Sequence, residues 1–301
     1  MEWNGLIADF EFYLKLEKSQ SENTIEAYGR DLHRFVEFLS ILNKPVHPND
    51  IHLDDFIQYF VWLAELGIGE RSQARMISSI KSFYKYLLID GIVQDNPSEL
   101  LETPKLPRTF PEVLSIEEID KIESAIDLSK PEGQRNKAII ETLYSCGLRV
   151  SELIGLRISN LHFNDGYVKV LGKGNKERLV PISNKAIKEI NLYITGYRVH
   201  LSIPKQFSDI LFLNHYGKQL TRVMIFLIVK SLSKAIGLTK SVSPHTFRHS
   251  FATHLVDGGA DLRAVQEMLG HESIITTEIY THINNQYLRD SIRQFHPRSI
   301  H

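Results

Sequence analysis

The chain has 301 residues, with 35 Lys and Arg against 36 Asp and Glu, and is 43% apolar, 24% charged and 10% aromatic. That balance excludes a collagenous, low-complexity or wholly disordered protein, and the length is enough for two domains, each with its own core. The one cysteine, Cys146, excludes an intrachain disulfide and a multi-cysteine zinc site and fits a reducing compartment, the cytoplasm. The opening stretch carries acids (Glu2, Asp9, Glu11) where a signal peptide has a basic region, and no apolar run approaches bilayer length. Neither secretion nor a membrane partner is expected.

Apolar residues recur at helical spacing in Phe10 to Leu16, in Leu32, Phe35, Val36 and Leu39, in Phe56 to Leu63, and in Ile77, Ile80, Phe83, Tyr84 and Leu87. Four or five amphipathic helices follow, the second starting at a capping pattern of Asn23 with Glu26 and the fourth stopping at Gly91. Three prolines (Pro104, Pro107, Pro111) then make an extended connector. This divides the chain into a helical bundle over 1–103, a linker over 104–111 and a second domain over 112–301. The charge divides with it. Up to Pro107 there are 10 basic and 17 acidic residues, −7; from 108 onward there are 25 and 19, +6, an asymmetry that suggests a polyanion partner, with chance drift between two solvated surfaces as the plain alternative.

In the second domain Ser115 with Glu118 caps a helix, and Arg135 to Tyr144 forms another. The period then shortens. Gly166–Leu171 and Glu177–Ile182 are β-type runs joined by Gly-Lys-Gly-Asn-Lys, a hairpin set into a helical domain. From Ser183 onward the pattern is helical, broken near Pro204, Gly237, Gly258-Gly259 and Gly270. The fold class is therefore mainly α, with a small antiparallel sheet in the C-terminal domain.

The densest chemistry is Ser243-Pro-His-Thr-Phe-Arg-His-Ser-Phe-Ala-Thr-His254. Ser243 is a good N-cap and Pro244 suits the first helical position, so His245 falls in the opening turn with Arg248 one turn later on the same face. Helix dipole, imidazole and guanidinium would converge on one anion, outlining a phosphate site, with a solvated helix face as the plain alternative. His245 and His249 are also spaced to share a metal ion. No acid stands where an HExxH site needs one, and Arg248 would repel a cation, so no metal is assigned. Farther on, Leu269-Gly270 ends a helix, Ser273 can cap the next, and Tyr280 lies two turns into it. A phenol there is either core or a nucleophile.

These runs carry a resemblance. Cys-Gly-Leu-Arg149-Val-Ser-Glu152-Leu, Gly-Lys173-Gly-Asn-Lys-Glu-Arg, His245-Thr-Phe-Arg248-His, Leu-Gly-His271 and Thr-Thr-Glu-Ile-Tyr280-Thr-His are similar, in the same order, to the active-site boxes of the tyrosine recombinase (phage integrase) family, most of all to the Xer site-specific recombinases. Ser21-Glu-Asn-Thr-Ile-Glu-Ala-Tyr28-Gly-Arg-Asp31-Leu resembles their N-terminal box, so the likeness runs the whole chain. It implies a SAM-like, DNA core-binding bundle followed by a catalytic domain, the two clamping a duplex.

The resemblance also implies the roles. Tyr280 attacks the scissile phosphate to leave a 3′-phosphotyrosyl bond, Arg149 and Arg248 grip the non-bridging oxygens, and His271 adds a donor. Lys173 protonates the departing 5′-oxygen, His245 assists proton transfer, and Glu152 steadies the site. No cofactor is implied, neither ATP nor a metal. Arg71, Arg75, Lys81 and Lys85, basic i, i+4 pairs in the fourth helix, are candidates for DNA contact. The implied partners are a double-stranded recombination site in a tetrameric synapse, a second Xer-like recombinase and a DNA translocase. The last helix, near Gln286 to Phe295, would dock on a neighbouring subunit, or Phe295 to His301 is a frayed tail. The implied task is DNA recombination that resolves chromosome or plasmid dimers at cell division, in the cytoplasm on the nucleoid. The alternatives are integration of a mobile element, a type IB topoisomerase, a metal-dependent nuclease or a catalytically silent DNA-binding relative. The topoisomerases usually carry a lysine where His245 stands.

Overall fold

The computed structural model describes residues 3–42, 47–104, 112–172, 176–270 and 285–298. The chain divides into two compact units, Met1–Thr109 and Phe110–His301.

The first unit is built from α1 (Trp3–Leu16), α2 (Glu22–Ile41), α3 (Leu53–Glu65) and α4 (Glu70–Ile89). Each helix turns an apolar stripe inward. Phe10, Phe35, Phe56, Phe83, Tyr59 and Tyr84 are fully buried and meet as rings, Phe10 on Phe83 at 5.3 Å and Phe35 on Phe56 at 5.2 Å between centroids. The buried phenol of Tyr84 donates to the Pro48 carbonyl at 3.1 Å, so its one polar atom is satisfied. The N-cap of α2 lies two residues before Asn23, because the Ser21 hydroxyl accepts from the Thr24 amide and so takes that position. α4 ends as expected, with Asp90 as its C-cap and Gly91 at φ +70°.

The second unit is arranged around α6 (Gly133–Cys146), against which α8 (Asn184–Gly196) and α10 (Pro244–Asp257) pack. Ala138, Ile139, Ile140, Leu143, Tyr144 and Cys146 on α6 are all completely buried, which is why this helix shows no polar face. Burial pushes the Cys146 thiol up to about 12, so it serves as a small core residue. Around α6 lie α5 (Ile116–Ser124), α7 (Val150–Ile154), α9 (Arg222–Ala235), α11 (Leu262–Leu269) and α12 (Asn285–Phe295). α5 has the expected capping box, Ser115 N–H donating to Glu118 Oε2 at 2.8 Å and Glu118 N–H to Ser115 Oγ at 3.2 Å.

The hairpin forms as β2 (Tyr167–Leu171) against β3 (Glu177–Pro181), antiparallel, with Val168 opposite Val180 and Val170 opposite Arg178. A two-residue strand, β1 (Leu161–His162), joins the other edge of β2 in the order β1-β2-β3. Among the described residues no helix is long and apolar enough to cross a membrane.

Candidate active site

Four segments of the second unit end at one place. α6 stops at Gly147, which takes the left-handed region at φ +57°, so the chain reverses and Arg149 becomes the N-cap of α7. Strand β3 brings Arg178. α10, capped by Ser243 with Pro244 at its first position, presents His245 and Arg248 as expected from the sequence. α11 ends at Gly270, also left-handed at φ +64°.

Glu152 sits at the centre, its side chain only 3% exposed. Arg178 forks onto it from β3, Nη1 to Oε1 at 2.7 Å and Nη2 to Oε2 at 2.9 Å. Arg149 reaches it twice, its backbone N–H donating to Oε2 at 2.8 Å and its Nη1 to Oε1 at 2.9 Å. Arg248 Nη1 lies 4.0 Å from Oε2. Burial pushes the Glu152 carboxyl up, but the hydrogen bonds and charge of Arg178, then those of Arg149, outweigh it and hold the group below the ordinary carboxylate range. It is an anion at neutral pH.

The three guanidiniums also clasp the end of α11. Arg178 Nε donates to the Met268 carbonyl at 3.0 Å, Arg248 Nη2 to that of Leu269 at 2.5 Å, and Arg149 Nη2 to that of Gly270 at 3.4 Å. Arg248 Nη1 donates to the Gly147 carbonyl at 2.8 Å. Burial and then the nearby Arg149 charge push the Arg248 guanidinium down to about 10, and it remains a cation at neutral pH. Three cations therefore face one anion in a largely buried place, an excess of positive charge that a bound anion would relieve.

Gly147 is fixed by more than its φ. A Cβ there would lie 2.4 Å from Cδ1 of the fully buried Phe251. Gly147→Ala should lower stability by about 1–3 kcal/mol through overpacking and a strained left-handed alanine. Urea denaturation of the two forms measures it, and unchanged midpoints would contradict this packing.

His245 is exposed at the opening turn of α10. Its imidazole is held below its ordinary range, first by partial desolvation and then by the positive charge of His249, Arg248 and Arg149. Neutral at pH 7, it can take or give a proton. The unfolded chain binds the extra proton just below pH 6.5, so this residue makes stability rise as pH rises through that window. In an NMR titration the His245 midpoint should fall below 6.5 and move up when inorganic phosphate is added. A midpoint at or above 6.5 without phosphate would contradict the geometry.

Of the residues singled out by sequence, Arg149, Glu152, His245 and Arg248 are brought together here; Lys173, His271 and Tyr280 lie outside the described residues. On α4, Arg71, Arg75 and Lys85 are exposed and Lys81 is half-buried. Arg75 pairs within its own unit, Nη1 with Asp31 Oδ2 at 2.5 Å, and Lys81 Nζ donates to the Glu99 carbonyl at 3.2 Å. Arg178 was not among the sequence candidates. Its signal is the strand period: opposite Val170, it shares the inward face with Val168 and Val180, where an arginine needs a buried partner. Among the described residues no group of three or more His, Cys, Asp or Glu side chains is placed to hold a metal ion.

Comparison with known proteins identifies the family and the fold. The phage integrase family matches residues 112–287, and the N-terminal SAM-like domain of phage integrases matches residues 7–91. A tyrosine recombinase XerD of Listeria monocytogenes is 43% identical over 98% of this chain and 100% of its own length. A tyrosine recombinase XerD of Chlorobaculum tepidum is 44% identical over 98% of this chain and 97% of its own. Among solved structures, the XerH site-specific recombinase bound to its difH substrate superposes with a TM-score of 0.67 at 25% identity, over 86% of this chain and 76% of that one. A lambda integrase tetramer bound to a Holliday junction shares the fold, with a TM-score of 0.70 at 17% identity over 89% of this chain and 77% of its own.

Proposed function

The chain belongs to the phage integrase family of tyrosine recombinases, and on that footing we propose how its own residues cut and rejoin DNA at a specific site. The observation that carries the assignment is the cluster of Arg149, Arg178 and Arg248 around the single carboxylate of Glu152, beside the N-terminus of α10. It is a ready seat for a phosphodiester, and it favours the transition state more, because negative charge on the non-bridging oxygens grows there.

Arg149 and Arg248 hold those oxygens. The Tyr280 oxygen attacks phosphorus, the bond to the 5′-oxygen breaks, and a 3′-phosphotyrosyl ester forms. Lys173 gives its proton to the departing 5′-oxygen, and His245 takes the phenol proton; His271 adds a donor to the phosphate. Glu152 keeps Arg149 and Arg178 oriented. One P–O ester replaces another of similar energy, so a second 5′-hydroxyl can reverse the step and join a new strand with neither ATP nor a metal ion consumed.

Exchanging both strands of two duplexes takes four such tyrosines, so the working form is a tetramer on two copies of a duplex site. Resolution of chromosome or plasmid dimers at cell division, on the nucleoid, is the role in keeping with XerD relatives, with a second Xer-type recombinase and a DNA translocase as further partners. Arg71, Arg75, Lys81 and Lys85 on α4 are the candidate DNA contacts of the first unit, of which Arg75 and Lys81 also make contacts within that unit. The test is a plasmid carrying two copies of a duplex selected from a random pool by binding to this chain. Recombinant circles in the presence of a chelator support the proposal; strand cleavage that appears only with a divalent metal overturns it.

A further inference from the structure

An apolar groove stands open on the first unit. Leu53, Ile57, Phe60 and Val61 of α3 form one wall, and Leu100 and Leu101, at the end of the turn Pro97–Leu100, form the other, around a volume of about 460 Å³. The α3 residues recur at i, i+4, i+7 and i+8, the stripe of a helix with a neighbour, although its core face is the separate row of Phe56, Tyr59 and Leu63. Leu100 is 72% exposed. Acids border the groove. Glu102 lines it, and Asp54 and Glu65, exposed on α3, stand seven residues before and four after Val61, on its flank of the helix. No Lys or Arg is among the described residues that line it.

α9 in the second unit has the complementary character. Ile225 and Val229 bury one face, yet Val223, Phe226 and Leu227, at i, i+3 and i+4, are exposed on the other. A helix with one buried face needs only one apolar stripe, and a second, solvent-facing one marks an interaction surface. Its charges are all positive. Arg222, Lys230 and Lys234 are exposed, no acid stands between Arg222 and Ala235, and Lys230 Nζ lies 6.0 Å from the centre of the Phe226 ring. Three cations around an apolar ridge thus answer three acids around an apolar groove. The two patches are unlike surfaces of one chain, so contact between them in different copies is head-to-tail.

We propose that the α9 ridge of one copy seats in the α3 groove of a second copy, so that the chain associates head-to-tail without DNA. The contact covers Arg222, Lys230 and Lys234, so an associated chain offers less positive charge to a polyanion. The experiment is sedimentation equilibrium of the full chain in the absence of DNA. The wild-type chain should pass from monomer to larger species with a Kd on the order of 10 μM, as a small contact gives. Raising salt from about 0.05 to 0.5 M should weaken the association several-fold. Leu100→Asp in the groove and Leu227→Asp on the ridge, at side chains 72% and 55% exposed, open no core and should each weaken association at least about ten-fold alone. Mixed in equal amounts they should pair again, with near wild-type affinity, and stop at a one-to-one dimer, since one keeps its ridge and the other its groove. A wild-type chain that stays monomeric up to about 1 mM, association that salt leaves unchanged, or variants that associate like the wild type would overturn the proposal. So would a mixture no better than either variant alone, the result for groove meeting groove or for a ridge folded onto its own chain.

Discussion

Replacing Glu152 by alanine should destabilise the catalytic unit by roughly 3–5 kcal/mol and abolish strand cleavage together, because one carboxylate neutralises three guanidiniums in a buried place. Its side chain is 3% exposed, and Arg178 at 15% and Arg248 at 9% have little water to turn to. Without Glu152 the fork of Arg178 loses both acceptors, Arg149 loses its side-chain and backbone partner, and like charges repel at close range. Glu152→Gln keeps the shape but aims amide donors at guanidinium donors, so it should recover little. The pH dependence carries the same signature. Because the folded carboxyl titrates below its ordinary 4.5, its contribution is complete above that pH and is lost as pH falls through the folded value. Urea denaturation at pH 7 and in acid checks this: the wild-type chain should weaken in acid more steeply than Glu152→Ala.

Arg248→Ala should lower the cleavage rate by roughly 10²–10³ or more, the usual loss when one preorganised donor to a developing oxyanion is removed, and it should also destabilise the fold. Arg248 donates to the Gly147 and Leu269 carbonyls and is buried, so its loss leaves two acceptors and a cavity behind. Arg248→Lys should not rescue it, since a point charge cannot reach both carbonyls and a phosphate at once. Arg149→Ala is the informative contrast. Arg149 is 35% exposed, and its outer nitrogen makes only a 3.4 Å contact to Gly270, so cleavage should fall as far with a much smaller loss of stability. Neither change should greatly weaken duplex binding, which is spread over many phosphates. Single-turnover rates beside equilibrium titrations separate the two effects.

The parts of this molecule written locally in the chain were legible from it. The Ser115 and Glu118 box, the Ser243-Pro244 start of α10, the stop at Gly91 and the β2–β3 hairpin each depend on residues within one turn or one loop of each other. The convergence of Arg149, Glu152, His245 and Arg248 came from box order, not from any local rule. What could not be read joins distant segments. Arg178 looks like one more polar residue on a hairpin until α7 and the end of α11 cover it, 26 and 90 residues away. Arg75 looks like a surface cation until Asp31, 44 residues away, meets it. Arg298 finds its acids across 175 and 178 residues. β1, with two residues, is too short to show any period, and the start of α2 turned on which of two nearby caps the backbone chose.

The central claim is that Tyr280 carries the broken strand as a covalent ester. Its most direct test is a duplex nicked next to the scissile phosphate, so that the 5′ fragment diffuses away and one cleavage event is trapped, incubated with EDTA. A protein–DNA adduct on the 3′-phosphate that forms with the native chain and disappears in Tyr280→Phe is the predicted result. An adduct or free cut ends that persist at the same rate in Tyr280→Phe would contradict it.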